Sequence, residues 1–581
     1  MQRVKTNKVF NLVLILLLFL SPISSFPQQT NKVSSNRCSK CGGELILSTT
    51  SDPKSFNPII AKETSTTAIT GLIFEGLTRT NGVTLQVEPN LAYKWEVDKE
   101  GLVWTFHLRK DVRWNDGKPF TSEDVVFTFN QLIYNPDIPT SARDIFTIKG
   151  KKFVVEKIDK FTVRFTLPCK FAPFLRSMSQ EILPKHILKD VVKEGKFNYH
   201  WGIDSKPSEI VGTGPFKLKS YLPGERIVLV RNPYYWKKDK EGVSLPYLDK
   251  ITYVIVQNQD VALLKFQQGE LDYFSLRGED YPLLKPKEKE GNFTIYNTGP
   301  AWGSNFLVFN QNRGKNPYTG KPYVDPTKLK WFTNLKFRKA VAYAIDKRSI
   351  IDIVMNGLGF EQYSGMSPAS GFFYNPNVKK YPYNLSRAKK LLKEIGIYDR
   401  NNDGKAEDAQ DNIIEFNLFT NADNTQRVKI TSLIRKDLER LGFKVNFVPL
   451  AFNQLVSKLD STYDWDAVII GLTGGIEPHF GSNVWLSKGH LHMWYPRQKK
   501  PATKWEEEID RIFTQAVQEL DENKRRELYY RWQEIVAENL PLIYTVLPAN
   551  IFAVKNKFGN LKPSSYGGAF HNIEEIYIKH K

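Results

Sequence analysis

The pattern of apolar and polar residues is most regular in the first quarter of the chain, where it predicts a hairpin followed by a helix. Residues 91–97 and 102–108 are short apolar and aromatic runs, and the turn-forming sequence Asp-Lys-Glu-Gly at residues 98–101 separates them. Two such runs around a short polar loop predict a β-hairpin. The sequence Thr-Ser-Glu-Asp at residues 121–124 precedes an apolar run and predicts the capped start of an amphipathic helix. The stretch holds no evident nucleophile, metal cluster or phosphate loop, so it predicts scaffold rather than chemistry.

Longer periodic segments in the second half of the chain predict a mixed α/β body. Helical spacing of apolar residues predicts one continuous helix over residues 334–355, with Gly357 as its stop. Strands at residues 414–420 and 443–447 flank a predicted helix at residues 424–441, which is a β-α-β order with a right-handed crossover. Two further helices and a returning strand are predicted at residues 505–520, 522–539 and 540–544.

The length and order of these elements predict two lobes with a cleft between them. A chain of 581 residues is too long for a single hydrophobic core. An early strand block, a long insertion and a C-terminal return imply that more than one crossing of the chain joins the lobes. A ligand would bind where two hinged lobes meet. The predicted fold class is therefore α/β, two-lobed, with an extra inserted domain and a hinged ligand cleft.

Charge and motifs argue against several functions. The formal net charge is +20, but the basic residues are spread along the chain and many alternate with acids. No nucleic-acid recognition motif accompanies this charge, so nucleic acid is not a predicted partner. The chain has no Gly-x-Ser-x-Gly elbow and no His-Glu-x-x-His motif. We therefore predict neither enzyme activity nor a cofactor.

The first 25 residues have the pattern of a signal peptide. Arg3, Lys5 and Lys8 precede an apolar run at residues 9–20, which is too short to span a bilayer comfortably. Cleavage near Ser25 would remove three basic and no acidic residues, so the exported chain would carry a formal charge of +17. No later run is long enough to cross a membrane, and a soluble body in the periplasm or cell envelope is expected.

Two of the three cysteines lie together in a polar linker predicted at residues 26–41. Cys38 and Cys41 form a Cys-x-x-Cys motif. A zinc site would need a second pair of ligands, and a redox pair would be expected in a βαβ unit, and the sequence around the motif shows neither. A short-loop disulfide is the preferred interpretation, and a lipid anchor at Cys38 is the alternative. Cys169 would be left as a partly buried thiol.

A polar segment at residues 399–408 has the Asp-x-Asn-x-Asp-Gly spacing of the first half of a calcium loop. The bidentate glutamate of a complete loop is missing, because Gln410 and Asp411 stand near its twelfth position. A polar turn is the preferred interpretation, and a weak structural calcium site is the alternative.

The hairpin and helix segment also resembles a known family. The sequence EPNLAYKWEVDKEGLVWTFHLRKDVRWNDGKPFTSEDVVFTF is similar to the signature of the family 5 extracellular solute-binding proteins, and GTGPF and RNPYYW follow in the family's order. That family comprises oligopeptide and dipeptide receptors of ABC importers, with nickel- and oligosaccharide-binding relatives. The resemblance implies a periplasmic-binding-protein-like fold of cluster C type. It also implies a monomeric receptor that captures a peptide or similar solute and delivers it to a membrane permease.

The resemblance assigns the predicted segments to domains. After a signal peptide at residues 1–25 and the linker at residues 26–41, lobe I is expected to be discontinuous. The expected ranges are 42–75, 211–300 and 541–581 for lobe I, 76–210 for the inserted small domain, and 301–540 for lobe II.

The segment GLTGGIEPHFGSNVWLSKGHLHMW at residues 471–494 is the richest candidate for a site. His490 and His492 would share one face of a strand and could chelate a metal, which makes an exported metal-dependent hydrolase the remote alternative. Ordinary surface or hydrogen-bonding histidines are the preferred interpretation.

In the family this loop lies in the cleft, and its peptide-binding members carry a Gly-Asp whose aspartate pairs with the peptide's α-amino group. Gly474-Gly475 takes that place here, and Glu477-Pro478 replaces a later Asp-Pro. A buried ammonium needs an opposite charge. Either Glu477 supplies that charge, or the ligand is uncharged at that end.

Six residues are the predicted ligand-binding set: Trp302, Asn305, Thr473, Gly475, Glu477 and Trp485. The two tryptophans are candidate stacking platforms, worth typically ~1 kcal/mol beyond area burial, with core packing as the alternative for each. Trp485→Ala is predicted to weaken ligand binding. An oligosaccharide or other non-peptide solute is the main rival to a peptide as the ligand.

Overall fold

The computed structural model describes residues 38–579. Apart from the state of Cys38, the description concerns the compact unit that begins at Lys40. The predicted signal peptide and most of the predicted linker lie outside the described residues. No helix in the described part of the chain is both long and apolar enough to cross a membrane.

The first lobe is built on a four-stranded mixed sheet. Its outermost strand, Glu44–Thr49, pairs in parallel with Lys250–Ile255, while the remaining neighbours are antiparallel. The spatial order is Glu44–Thr49, Lys250–Ile255, Arg226–Arg231 and Phe216–Leu222. Helices Thr64–Ile73 and Gln259–Gln267 accompany these strands.

The hairpin and helix predicted from the apolar pattern are confirmed in the inserted domain. Strands Ala92–Val97 and Val103–Leu108 pair antiparallel, and Thr162–Thr166 and Val154–Asp159 extend the sheet. Helix Ser122–Phe127 begins with a capping box between Thr121 and Asp124. Trp114 is fully buried, and the core of this domain is continuous with that of the first lobe. The most recognisable sequence stretch is therefore scaffold.

The second lobe contains a five-stranded sheet with the predicted β-α-β unit. The spatial order is Lys444–Leu450, Glu415–Asn421, Ala467–Leu472, Ser304–Phe309 and Leu542–Tyr544. The first three strands are parallel, and the last two run antiparallel to their neighbours. The longer helices are Pro326–Thr333, Leu335–Ala344, Lys347–Met355, Leu385–Lys393, Thr425–Glu439, Lys504–Ala516 and Glu522–Asn539.

The single helix predicted over residues 334–355 is wrong, because the structure has two helices there. The chain leaves helical geometry at Ile345, where ψ is 115°. Asp346 then caps the second helix by accepting a hydrogen bond from the Ser349 backbone N–H. Apolar periodicity continues across the break, so it gave no sign of a new start.

Two neighbouring chain segments join the lobes. Strand Phe293–Pro300 of the smaller sheet beside the first lobe leads through residues 301–303 into Ser304–Phe309. Strand Leu542–Tyr544 leads through Thr545 into Val546–Lys555, which pairs with Phe293–Pro300 and Tyr273–Leu276. We propose the domain ranges given above with one adjustment, in which the chain returns from the second lobe after Tyr544 rather than at residue 541.

The cysteines have the predicted states. Cys38 and Cys41 are both disulfide-bonded. Cys169 is a free thiol of intermediate exposure, and burial raises its pKa.

Candidate functional site

Three adjoining cavities lie along the seam between the lobes. We name them after one lining residue each: the Arg427 cavity of about 460 Å³, the Glu477 cavity of about 380 Å³ and the His490 cavity of about 200 Å³. Leu472 and Thr473 line all three. The cavities therefore form one composite cleft around the end of strand Ala467–Leu472.

The fold explains why the cleft lies here. Strands Glu415–Asn421 and Ala467–Leu472 are parallel and both end at the cleft, and open α/β sheets bind ligands beyond the carboxyl ends of their strands. The crossing segment at residues 301–303 and the start of the adjacent strand Ser304–Phe309 also line the cleft, close to the loop that follows Leu472. Gly474 permits this close approach, because a Cβ there would lie 1.6 Å from the Trp302 carbonyl oxygen.

Contacts between the lobes close the cleft. Lys54 Nζ of the first lobe lies 3.3 Å from Asp460 Oδ2 of the second and 3.4 Å from Glu63 Oε1. The His490 backbone N–H donates to Asp144 Oδ2 at 3.3 Å, and His479 Nε2 lies 3.1 Å from the Ile145 carbonyl oxygen. In this structure these contacts bridge the two lobes and close the cleft between them.

The Arg427 cavity carries one cation and one anion. Arg427 donates from Nη1 to Asn421 Oδ1 at 2.6 Å and from Nη2 to Asn305 Oδ1 at 3.1 Å, while its buried Nε has no partner. Burial lowers the pKa of Arg427 to about 10, against the charge of Asp423, which acts to raise it. No carboxylate in residues 38–579 comes within ion-pair distance of this guanidinium. Its remaining N–H groups are therefore available for a polar ligand.

The Glu477 cavity differs from the Arg427 cavity because its carboxylate is paired with a guanidinium. Glu477 is almost completely buried, and its Oε2 lies 3.2 Å from Nη2 of the equally buried Arg525. Burial raises the pKa of Glu477, against the charge of Arg525 and the backbone N–H of His479. Its second oxygen, Oε1, has no partner among the described residues. Glu477 is thus already neutralised by a protein side chain.

The structure brings all six predicted ligand residues to the cleft walls. Trp302 and Thr473 line both larger cavities, Asn305 lines the Arg427 cavity, and Gly475, Glu477 and Trp485 line the Glu477 cavity. Their part in ligand binding stays a prediction.

The two tryptophans differ in their packing. Trp302 makes an edge-on contact with Tyr566 at 5.0 Å between ring centroids, and its buried Nε1 has no partner. Trp485 is only 6% exposed and packs edge-on against Trp532 at 4.9 Å. Trp485→Ala would therefore remove core contacts as well as cavity wall, so Trp302 is the cleaner position at which to test stacking.

His490 and His492 make hydrogen bonds within the protein, which agrees with the preferred interpretation rather than with the alternative of a chelating pair. Residue 490 lies in a turn and residue 492 in an irregular stretch, so neither is on a strand. His492 is fully buried between the Val484 carbonyl oxygen and Glu506, while Arg497 donates to the ring of His490. The expectation that both share one strand face is wrong, because the segment folds around Glu506.

The calcium-like loop makes the hydrogen bonds of a polar turn. Asp399 accepts from the backbone N–H groups of Asp403 and Gly404 at 3.2 and 2.9 Å. Carboxylate oxygens of Asp399, Asp403 and Glu407 also come within 4.8 Å of one another.

Sequence reasoning missed Arg427 and Arg525. Arg427 follows the N-cap Asn424 of helix Thr425–Glu439 within the β-α-β unit. Residues at the start of such a helix face the carboxyl edge of the sheet, and this signal could have identified Arg427. Arg525 lies on helix Glu522–Asn539, about 50 residues beyond Glu477, and only the packing brings the two together.

Comparison with known proteins agrees with the fold. Residues 86–491 match the family model of bacterial extracellular solute-binding proteins, family 5. A probable ABC transporter-binding protein of Deinococcus radiodurans is 31% identical over 526 residues, covering 86% of each chain. The oligopeptide-binding protein AppA of Bacillus subtilis is 28% identical over 599 residues, covering 100% of each. The structure of that AppA with a nonapeptide matches with a TM-score of 0.77 at 27% identity, covering 93% of this chain and 100% of AppA.

The two hinged lobes and the closed cleft define a ligand-capturing protein of the periplasmic-binding type. The chain belongs to the bacterial extracellular solute-binding proteins of family 5.

Proposed function

We propose that this protein is the extracytoplasmic receptor of an ABC importer and that it captures peptides in the cleft between its lobes. The observation that carries the proposal is the composite cleft, whose walls come from both lobes and from both crossing segments. Ligand that touches both lobes favours the closed state, and the closed state is what the permease would recognise.

Peptide is the preferred ligand for two reasons. A relative that aligns over the full length of both chains is an oligopeptide-binding protein. The cleft also consists of three cavities that share the lining residues Leu472 and Thr473, which favours a ligand that extends beyond a single cavity.

An oligosaccharide is the second candidate. The Glu477 cavity is rich in aromatic rings, including Trp302, Trp485, Trp532 and Tyr544, and aromatic faces stack on sugar rings. The peptide proposal is preferred because Arg427 offers a charged partner that a neutral sugar would leave unused.

The remaining parts of the proposal concern setting and partners. The partners are the solute and a membrane permease, the receptor acts as a monomer, and transport rather than catalysis is its role. Export by the N-terminal signal peptide is part of the proposal. A disulfide at Cys38 leaves no thiol there for a lipid chain, which supports export without an anchor at this residue.

Native mass spectrometry of the purified exported chain tests the ligand class. A ladder of co-purifying peptide masses is expected, and it should disappear when the protein is unfolded and refolded. A single sugar mass would replace the peptide proposal with the oligosaccharide one. Bound zinc together with turnover of a peptide substrate would overturn both.

A further inference from the structure

We infer that the Glu477 cavity receives an uncharged polar end of the ligand and excludes a free ammonium group. The inference rests on the proposed peptide-binding function and names the kind of peptide. Its basis is the charge balance of the cavity wall together with buried polar atoms that lack partners.

The wall carries no uncompensated negative charge. Its charged lining residues are Glu477 and Lys62. Glu477 is in contact with the buried Arg525, and Lys62 pairs with Glu181 at 3.3 Å. An ammonium group placed here would lose its hydration and find only a carboxylate already held by a guanidinium, which is unfavourable.

The guanidinium of Arg176 adds positive charge that acts on Glu477. Arg176 donates to Thr80 Oγ1 and to the Leu85 carbonyl oxygen, and no carboxylate in the described part of the chain lies within ion-pair distance of it. Its charge acts on Glu477 in the same direction as that of Arg525. The acidic Glu522 also approaches Arg525, at 4.0 Å, but its side chain is 74% exposed and solvent screens it.

Three buried polar atoms of residues that line the cavity lack hydrogen-bond partners within the described part of the chain, which favours a polar rather than an apolar ligand group. The indole Nε1 atoms of Trp302 and Trp532 and Oε1 of Glu477 are buried without hydrogen-bond partners among residues 38–579, and all three residues line the cavity. Buried polar atoms are rarely left unpaired in folded proteins. Two donors and one acceptor are complementary to a group that both accepts and donates, such as an amide or a hydroxyl.

The aromatic rings shape the same space. A Cβ atom added to Gly365 would lie 2.9 Å from the Tyr544 hydroxyl oxygen and 3.2 Å from Cζ2 of both Trp485 and Trp532. These rings make part of the cavity wall apolar, and an uncompensated charge beside apolar surface is costly. A blocked N-terminus, in which an acyl or ring amide replaces the ammonium group, fits both the charge and the hydrogen-bonding pattern.

A ligand competition tests the inference without knowledge of the natural sequence. The full exported chain, freed of bound ligand by unfolding and refolding, is mixed with equal amounts of one random pentapeptide library in free-amine and N-acetylated forms. Mass spectrometry of the retained peptides should show at least tenfold enrichment of the acetylated form. Preference for the free amine would overturn the inference while leaving peptide binding intact. If neither form is retained, the peptide function fails and this inference fails with it.

A pair of variants tests the charge argument directly. Gly475 lines the cavity, and a Cβ there meets only Phe480 Cδ2, at an ordinary 3.9 Å. Gly475→Asp adds a carboxylate, and Gly475→Asn adds a neutral group of the same size. Relative to Gly475→Asn, Gly475→Asp should shift the retained pool at least tenfold towards free amines. Equal pools from two variants with unchanged thermal unfolding would show that charge does not select the ligand end, and would overturn the inference.

Discussion

At the scale of single residues, two adjacent glycines determine the shape of the cleft. Gly474 and Gly475 are neighbours in sequence with opposite surroundings. A Cβ on Gly474 would overlap the Trp302 carbonyl oxygen, whereas a Cβ on Gly475 has room. One glycine holds the loop against the crossing segment, and the other leaves space in the cavity.

This contrast predicts unequal effects of the same substitution. Gly474→Ala should lower the free energy of unfolding by roughly 1–3 kcal/mol, because backbone on one side or the other must move. Gly475→Ala should change it by less than about 0.5 kcal/mol. Urea unfolding of the two variants measures the difference, and equal losses would contradict the close approach.

Glu506 is a buried carboxylate that organises the loop carrying His490 and Leu491. Burial opposes its ionisation, but hydrogen bonds from His492, Gln498, Trp494 and Thr503 outweigh burial and lower the pKa of Glu506 to about 2. Because the folded pKa lies below the ordinary value near 4.5, the stabilisation is complete above about pH 4.5. It is lost as the pH falls from there towards 2.

Glu506→Gln tests this contribution. At pH 7 the variant should lose roughly 2–3 kcal/mol of unfolding free energy, and the loss should shrink as the pH approaches 2. Glu507→Gln is the matched control, because Glu507 is the exposed neighbour on the same helix. A loss that stays constant between pH 7 and pH 3 would contradict the lowered pKa.

At the scale of elements, helix Thr425–Glu439 connects the sheet to the cleft. Asn424 caps it by accepting from the Arg427 backbone N–H at 2.8 Å, so the cap also fixes the residue whose guanidinium lines the Arg427 cavity. Arg277 of the first lobe donates to Thr425 Oγ1 at 2.6 Å and ties the same helix start across the hinge.

A pair of cap variants separates helix stability from ligand positioning. Asn424→Ala should cost about 1 kcal/mol of stability and also weaken binding of the natural ligand, because Arg427 lies in the first helical turn. Asn384→Ala removes the equivalent cap of helix Leu385–Lys393, where Asn384 accepts from the Arg387 N–H at 2.8 Å. It should cost a similar amount of stability and leave affinity unchanged in titration calorimetry. A similar affinity loss in both variants would refute the role assigned to Asn424.

At the scale of the whole molecule, the polar contacts between the lobes include a partly exposed ion pair. Lys54 lies between Glu63 of its own lobe and Asp460 of the other, with its side chain 37% exposed. Partly exposed ion pairs contribute roughly 0.2–1 kcal/mol each. Such a contact favours closure without locking it, which suits a receptor that must release its solute.

Lys54→Met should therefore weaken ligand affinity about two- to fivefold, by destabilising the closed state relative to the open one. Lys265→Met is the control, because Lys265 pairs with Glu270 inside the first lobe, away from the cleft. Titration calorimetry gives the affinities, and small-angle X-ray scattering should show a larger open fraction for Lys54→Met at subsaturating ligand. Equal behaviour of the two variants would remove Lys54 from the closure mechanism.

The sequence by itself determined the local elements and the family. The hairpin at Ala92–Val97 and Val103–Leu108, the capping box at Thr121 and Asp124, and the β-α-β unit around helix Thr425–Glu439 follow from patterns within a few residues. Short-range periodicity and cap chemistry are local properties, so they can be read without a fold. The break at Ile345 escaped because a new cap interrupted the helix while the apolar spacing continued.

Only the tertiary structure decided the chemistry of the cleft. Glu477 is separated by about 50 residues from Arg525, the side chain that neutralises it. Arg427 faces Asn305 from another part of the chain, and His492 is engaged by Glu506. The physical reason is that an ionisable group's charge and availability depend on burial and on partners distant in sequence, which no local pattern encodes. The sequence identified which loop would matter, and the packing determined which of its charges remain free for a ligand.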